Sequence, residues 1–334
     1  MSEAIATVTQ SCLIDLHLHL DGSMSVAMAR RIAEAGGMEL DLSDDELRER
    51  LTVHEDCRDL NEYLARFDFP LSLLQTRDQL RLCTQLLQEE LSQRGLMYAE
   101  LRFAPQSHGV KGLTQREAVE AVLEGLGSSC FEAGIILCCM RGADNLEANL
   151  ETVRLASEYL GQGVVAVDLA GAEALFPTRD FQEIFELAER LGVPSTIHAG
   201  EADGPQSMWD ALSFGADRIG HGIRAVEDPA LVEELAKRRI PLEACPTSEV
   251  QTCIFERYDE LPLHQLLEAG VPVTINSDNM AVSATDVRHE LQIVADTFAL
   301  TDGDIKLLLL NAANAAFASD ALKAEMCRRI EAEF

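Results

Sequence analysis

Basic residues are scarce in this sequence. It contains 27 Lys and Arg against 57 Asp and Glu, which gives a formal net charge of −30. A surface this acidic repels nucleic-acid backbones and anionic lipids, so we expect neither as a partner and attribute the charge to solubility. No stretch approaches the roughly 18 apolar residues of a membrane span, so we expect no membrane association.

Paired cysteine motifs are also absent. The nine cysteines are an odd number, they are scattered, and no CxxC pair occurs. This distribution is typical of buried thiols in a reducing compartment and not of a disulfide framework. Residues 1–10 lack the basic segment and apolar run of a signal peptide, so we expect none and predict a cytoplasmic location.

The sequence does contain a repeated alternation of short apolar runs and amphipathic segments. Apolar runs without alternating polar residues are typical of parallel strands covered on both faces. Strands alternating with helices indicate right-handed crossovers, and eight such units predict an α/β fold, a closed (β/α)8 TIM barrel. The predicted strands are 12–20, 97–104, 135–140, 164–170, 195–199, 218–220, 241–245 and 273–276, and the clearest crossover helices are 116–130, 146–160, 181–191 and 229–238.

The first crossover is the exception. Roughly 75 residues separate the first two predicted strands, far more than one helix needs. We interpret residues of about 24–94 as a helical lid over the barrel mouth, with helical patterns at 25–35, 44–51 and 58–67. Extra helices are predicted after the last strand, at 302–317 and 320–333. No linker or repeat interrupts the chain, so 1–334 is predicted to be one domain.

Residues that can bind a metal stand at the ends of predicted strands. His17 and His19 are two apart in the first strand, so both point into the barrel. His198 ends the fifth strand and Asp278 the eighth, and the carboxyl ends of barrel strands converge on the active-site face. Each residue alone is compatible with a structural role. Three His and one Asp together favour a zinc site with room for water.

Two further residues complete a hydrolytic site. Glu201 follows His198 by three residues on the loop leaving the same strand, where its carboxylate can exchange protons with water or with a substrate nitrogen. His221 ends the sixth strand between two glycines, which let backbone and ligand approach closely. A surface carboxylate and a loop imidazole are the structural alternatives, and the metal cluster weakens both.

Several segments, in order along nearly the whole chain, resemble the adenosine deaminase family. They are HLHLDGS at 17–23, HAGE at 198–201, GHG at 220–222, CPTS at 245–248 and NSD at 276–278, supported by YLARF at 63–67, YAELRFAP at 98–105 and DLAG at 168–171. HxH or GHG alone would not be specific, but the ordered combination is. The H-x-E…P-C-x-x-C signature of a different class of zinc deaminase is absent.

The resemblance implies a zinc-dependent deaminase of purine salvage that converts adenosine, and 2′-deoxyadenosine, to inosine and ammonia. It implies one zinc ion per chain, bound by His17, His19, His198 and Asp278, with a purine nucleoside and water as the partners. Glu201 would carry a proton to purine N1, while His221 and Asp278 would position the attacking hydroxide. The implied substrate contacts are His19, Asp21 at a ribose hydroxyl, the Gly171 backbone at N3, and a lid around Phe67 and Phe69.

Two positions depart from the family pattern. Asn279 stands where a second Asp normally contacts purine N7, and Glu249 stands where Asn is expected. An Asn amide can still donate a hydrogen bond to N7. Because these departures affect a contact to the base, adenine, an N6-methylated purine or a modified nucleoside remain alternative substrates. An acidic pocket would repel AMP. More remote alternatives are another amidohydrolase reaction and a non-catalytic metal or purine binder. The sequence does not indicate an oligomeric state.

Overall fold

The computed structural model describes residues 12–54 and 56–334. Residues 1–10, from which we expect no signal peptide, lie outside the described residues. Eight parallel strands form the core of the molecule: β1 Leu13–His19, β2 Leu96–Phe103, β3 Ala133–Met140, β4 Val164–Ala170, β5 Thr196–Ala199, β6 Arg218–His221, β7 Leu242–Ala244 and β8 Val273–Ile275. All eight predicted strands are present, with ends that differ by one or two residues.

The strands form two four-stranded halves, β1–β4 and β5–β8, each ordered as in the sequence. Two isolated parallel bridges join the halves, Val167 to Ser195 on one side and Leu18 to Asp278 on the other. The second seam is held by backbone hydrogen bonds from Asp278 N to His17 O and from His19 N to Asp278 O, both 2.8 Å long. The sheet is therefore closed, and the fold is the predicted TIM barrel.

Helices follow the strands along the described chain, and three of them follow the last strand. Their bounds are α1 Val26–Ala35, α2 Asp44–Leu51, α3 Leu60–Leu64, α4 Asp68–Leu73, α5 Arg77–Gln93, α6 Gln115–Leu126, α7 Leu146–Tyr159, α8 Gln182–Leu191, α9 Pro205–Ser213, α10 Pro229–Arg238, α11 Pro246–Gln251, α12 Leu263–Glu268, α13 Val287–Phe298, α14 Asp302–Ala315 and α15 Asp320–Glu333. No helix among the described residues is both long enough and apolar enough to span a membrane.

Local sequence sets several helix ends. Ser43 with Glu46, Thr114 with Glu117, and Thr301 with Asp304 form reciprocal capping boxes that start α2, α6 and α14. Each box satisfies two of the otherwise unpaired groups at a helix start.

The long first crossover contains α1 to α5. α5 packs along α6 and α1 on the barrel wall, as an ordinary crossover helix does. The chain from α3 to α4 instead runs over the carboxyl ends of the strands, where Leu60, Tyr63, Phe67 and Leu71 face a cavity. The predicted helix at 58–67 is divided, because Ala65–Phe67 is a 3₁₀ turn between α3 and α4.

Candidate active site at the carboxyl ends of the strands

The four predicted metal ligands meet at the barrel mouth. One ligand atom from each of His17, His19, His198 and Asp278 lies within 4.8 Å of the others. Asp278 Oδ1 is 3.5 Å from His17 Nε2 and 3.4 Å from His19 Nε2. Neighbouring ligands of a tetrahedral zinc ion with bonds near 2.1 Å would be about 3.4 Å apart. His17 Nε2 is buried without a hydrogen-bond partner, so the residues present fit a metal ion.

Burial favours the neutral form of two of the histidines, His17 and His19, which is the form that binds metal. Burial lowers the pKa of His17 to about 4 and lowers the pKa of His19 well below its ordinary value. Because a protonated imidazole cannot coordinate a metal, this environment favours binding over protonation.

Buried carboxylates orient two of the ligands from behind. His17 Nδ1 is 2.8 Å from Glu243 Oε2, and His198 Nδ1 is 2.9 and 3.0 Å from the two oxygens of Asp168. Arg102 bridges both carboxylates with bonds of 2.9 Å to each. A carboxylate on the far ring nitrogen fixes the tautomer and aims the other nitrogen at the metal.

Sequence reasoning assigned no role to this inner layer. Asp168 was noticed only as part of a family-like segment, and Arg102 and Glu243 were not singled out. The available signal was a charged residue inside a strand predicted to be covered on both faces. Such a residue must be paired to be tolerated.

A second possible ligand group among the described residues is His17, His221 and Cys245. Burial raises the pKa of the Cys245 thiol well above its ordinary range. Metals bind the thiolate, so this group is the weaker candidate.

Glu201 is buried on a loop that another carboxylate holds in place. Glu173 accepts hydrogen bonds from the backbone N–H groups of four successive residues, Gly200 to Asp203, at 2.7 to 3.0 Å. Sequence reasoning missed Glu173, because nothing near it in the chain indicates this contact. Burial raises the pKa of the Glu201 carboxyl, which increases the fraction that holds a proton at a given pH.

His221 lies between Glu201 and the metal ligands in a strained conformation. Its φ is 58°, and Asp278 also has a φ of 58°. Left-handed backbone at residues other than glycine is costly and clusters at functional sites. Burial alone would lower the pKa of His221, but the carboxylates of Glu201 and Glu249 raise it to about 10.

The metal ligands lie at the end of a cavity of about 270 Å³. The predicted substrate contacts His19, Asp21, Gly171 and Asn279 all line it, as does Phe67. Phe69 packs against the main hydrophobic core instead.

Three polar groups on the cavity wall bear on substrate binding. Burial raises the pKa of Asp21 to about 6. Gly171 has a φ of 108°, which a side chain would not tolerate, so its backbone is open to a ligand. The amide nitrogen of Asn279 donates to the Tyr63 hydroxyl at 3.0 Å, and its oxygen is buried without a partner.

Arg141 is the only Lys or Arg that lines the cavity within the described chain. Its two terminal nitrogens already donate to the carbonyls of Phe176 and His198 and to the Thr178 hydroxyl, at 2.6 to 3.0 Å. Its Nε is buried without a hydrogen-bond partner, and the guanidinium is held mainly by the cavity wall.

Comparison with known proteins agrees with this geometry. The family model described as adenosine deaminase matches residues 12–333. An adenosine deaminase of Haemophilus ducreyi is 48% identical over 98% of this chain and 98% of its own length. An adenosine deaminase of Enterococcus faecalis is 39% identical over 97% of this chain and 97% of its own length. The structure of an adenine deaminase from Arthrobacter aurescens is similar with a TM-score of 0.87, at 27% identity over 96% of this chain and 98% of the other.

Proposed function

The chain belongs to the adenosine deaminase family and is a hydrolytic deaminase of adenosine; on that premise we propose that it works with one zinc ion bound by His17, His19, His198 and Asp278. The observation that carries the proposal is the convergence of these four residues within 4.8 Å of one another, with three of them lining the same cavity as Glu201 and His221. When bound, zinc lowers the pKa of water to about 7 and so supplies a nucleophile at neutral pH.

The reaction adds water across the C6–N1 bond of the purine and releases the 6-amino group as ammonia, giving inosine. The ring loses aromaticity when C6 is attacked, so N1 must gain a proton. We assign that proton to Glu201, whose buried carboxyl lines the cavity beside the proposed metal ligands. We assign the positioning of the attacking oxygen to His221 and Asp278, because the His221 ring lies 4.8 Å from the His17 ring and Asp278 Oδ1 lies 3.5 Å from His17 Nε2.

The substrate is placed by a few polar groups on a mostly apolar wall. We propose that the Gly171 backbone N–H donates to N3 and that Asp21 binds a ribose hydroxyl. The proposed contacts to the purine are the same in 2′-deoxyadenosine, so it is also an expected substrate. A nucleotide is disfavoured, because Arg141 is already engaged and Asp21 and Asp68 make the cavity acidic.

Asn279 is proposed to donate to purine N7. One hydrogen of its amide goes to Tyr63, which leaves the second for the base. 7-Deazaadenosine lacks the N7 acceptor and would leave that donor unpaired, at a cost of roughly 1–3 kcal/mol in kcat/KM. This penalty should vanish in Asn279→Ala. Equal kcat/KM for adenosine and its 7-deaza analogue in the unmodified protein would refute the contact.

A panel of 6-aminopurines tests the proposed function. Ammonia release is measured with adenosine, 2′-deoxyadenosine, adenine, N6-methyladenosine and AMP, with and without prior removal of metal. We expect metal-dependent turnover that is highest for the two nucleosides. Asp21→Ala should lower kcat/KM for adenosine and leave any turnover of adenine unchanged. Faster turnover of adenine or AMP than of adenosine would reject the proposed substrate class.

A further inference from the structure

His221 lies between two buried carboxylates, and only one of them faces the substrate cavity. Its Nε2 is 3.7 Å from Glu201 Oε1 on the cavity side, and its Nδ1 is 3.7 Å from Glu249 Oε1 on the opposite side. Glu249 lies in α11, directly after β7, and is fully buried. The role of Glu201 follows from the reaction, whereas nothing so far explains a carboxylate behind His221.

Two buried polar atoms of this pair lack a hydrogen-bond partner. They are His221 Nδ1 and Glu249 Oε2, whereas Glu249 Oε1 accepts from the Cys245 N–H at 2.9 Å. An unpaired buried donor or acceptor is costly. A ring nitrogen can donate and a carboxylate can accept, so a hydrogen bond between the two side chains would relieve this cost.

We propose that Glu249 is a positioning residue for His221: its carboxylate accepts the Nδ1–H of the imidazole and thereby aims Nε2 at the cavity. The hydrogen bond on one ring nitrogen decides which tautomer is present. In both the neutral and the protonated ring, Nδ1 then carries a hydrogen. This inference rests on the proposed function, because that function is what places the reacting atoms on the Nε2 side of His221.

A purely structural role for Glu249 would require fewer hydrogen bonds to its carboxylate. Holding the turn at the start of α11 needs only one acceptor, for the Cys245 N–H. Positioning His221 as well adds a second donor, the Nδ1–H, on the same carboxylate. Glu249→Gln tests this second role, because the amide has nearly the same volume but lacks the negative charge and one of the two acceptor oxygens. Its contact with the Nδ1–H of His221 should be weaker than that of the carboxylate, while its oxygen can still accept from the Cys245 N–H.

Glu290 offers a matched control. It is a second buried carboxylate near α11 that accepts from the Thr247 N–H at 3.0 Å and from the Thr285 hydroxyl. These groups hold the same region, but they do not involve His221. Glu290→Gln therefore also alters a buried carboxyl group close by without touching the proposed contact.

Kinetics and NMR together test the proposal. For Glu249→Gln we expect kcat for adenosine to fall at least about tenfold, the usual scale for losing an orienting partner, with KM and bound zinc little changed. Glu290→Gln should keep kcat within twofold. Glu249→Asp keeps two acceptor oxygens on a shorter stem and should recover part of the lost kcat.

The second readout does not depend on turnover. In zinc-loaded protein with ¹⁵N-labelled histidine, the His221 signals are assigned by their loss in His221→Gln. We expect Nδ1 to be protonated in the unmodified protein and the Nδ1–H population to fall in Glu249→Gln. An unprotonated Nδ1 in the unmodified protein overturns the proposal even if no Glu249 variant folds.

Three kinetic results would also overturn it: unchanged kcat in Glu249→Gln, an equal loss in Glu290→Gln, or a loss confined to KM. If adenosine is not turned over at all, the proposed function fails, while the NMR result still decides the state of His221.

Discussion

Replacing Glu243 by Gln tests whether the buried charges beneath the site hold the metal ligands. Glu243 is completely buried and accepts four hydrogen bonds. One oxygen takes His17 Nδ1 at 2.8 Å and Arg102 Nη2 at 2.9 Å, and the other takes Arg218 Nε at 2.6 Å and Thr196 Oγ1 at 2.9 Å. A Gln amide retains only one acceptor, so two of the four donors would face its NH2 group.

The size of the effect follows from these contacts. Removing one partner of a buried ion pair costs about 3–5 kcal/mol, and here two arginines share the lost charge. Domains of this kind are stable by about 5–15 kcal/mol, so the variant should fold but unfold at lower denaturant concentration. Because His17 also loses its orienting acceptor, zinc should bind about 10- to 100-fold more weakly.

Two measurements on one preparation check this prediction. Zinc affinity is determined by competition with a chromophoric chelator, and the free energy of unfolding by urea titration. Glu100→Gln is the control, because Glu100 pairs with Arg218 in the same buried network but makes no histidine contact among its described partners. The control should lose stability and keep its zinc affinity. Unchanged zinc affinity in Glu243→Gln would refute the reasoning.

Three further predictions concern the metal, the proton and the pH dependence of stability. Protein stripped of metal should lose turnover and regain it with Zn²⁺, and full activity in metal-free protein would contradict the mechanism. Glu201→Gln should keep its metal and lose about 10²–10⁴-fold in kcat, measured by ammonia release, because an amide cannot carry the proton; a kcat near that of the unmodified protein would exclude the role. Burial raises the pKa of Glu290 from 4.5 to about 7, so the folded state holds a proton that the unfolded state releases between these values. The unfolding free energy of the unmodified protein should therefore fall by about 3 kcal/mol relative to Glu290→Gln as pH rises from 4.5 to above 7, and parallel pH profiles in urea titrations would count against it.

The fold was predictable because its signals are local and repeated eight times. Buried parallel strands have apolar runs of their own, and capping boxes mark several helix starts. The insertion was harder. Residues 58–67 have one continuous helical pattern, yet Leu60–Leu64 and Ala65–Phe67 differ in helix type. That change occurs where the chain turns over the cavity, so it depends on packing that no local pattern records.

The residues of the site also divide into those that the sequence indicates and those that it does not. His17, His198 and Asp278 could be found from sequence because strand ends converge in any barrel. Glu173 and Glu243 could not, because their side-chain partners are 25 or more residues away along the chain. A buried carboxylate has no sequence periodicity of its own. Its role becomes visible only when the groups that it accepts from are brought to it by the fold.

The proposed metal ligands are distributed over both seams at which the two halves of the barrel meet. His17, His19 and Asp278 lie at the seam between β8 and β1, and their backbone groups form the hydrogen bonds that close it. His198 lies at the opposite seam, where β5 meets β4 and Asp168 of β4 orients its ring. A metal ion held by all four would thus tie the two halves together across the mouth. The left-handed backbone of Asp278 belongs to the same arrangement, because this residue must close the barrel with its main chain and point its carboxylate inward. The backbone contacts that close the barrel therefore also set the positions of the ligand side chains. A change at either seam should alter metal binding.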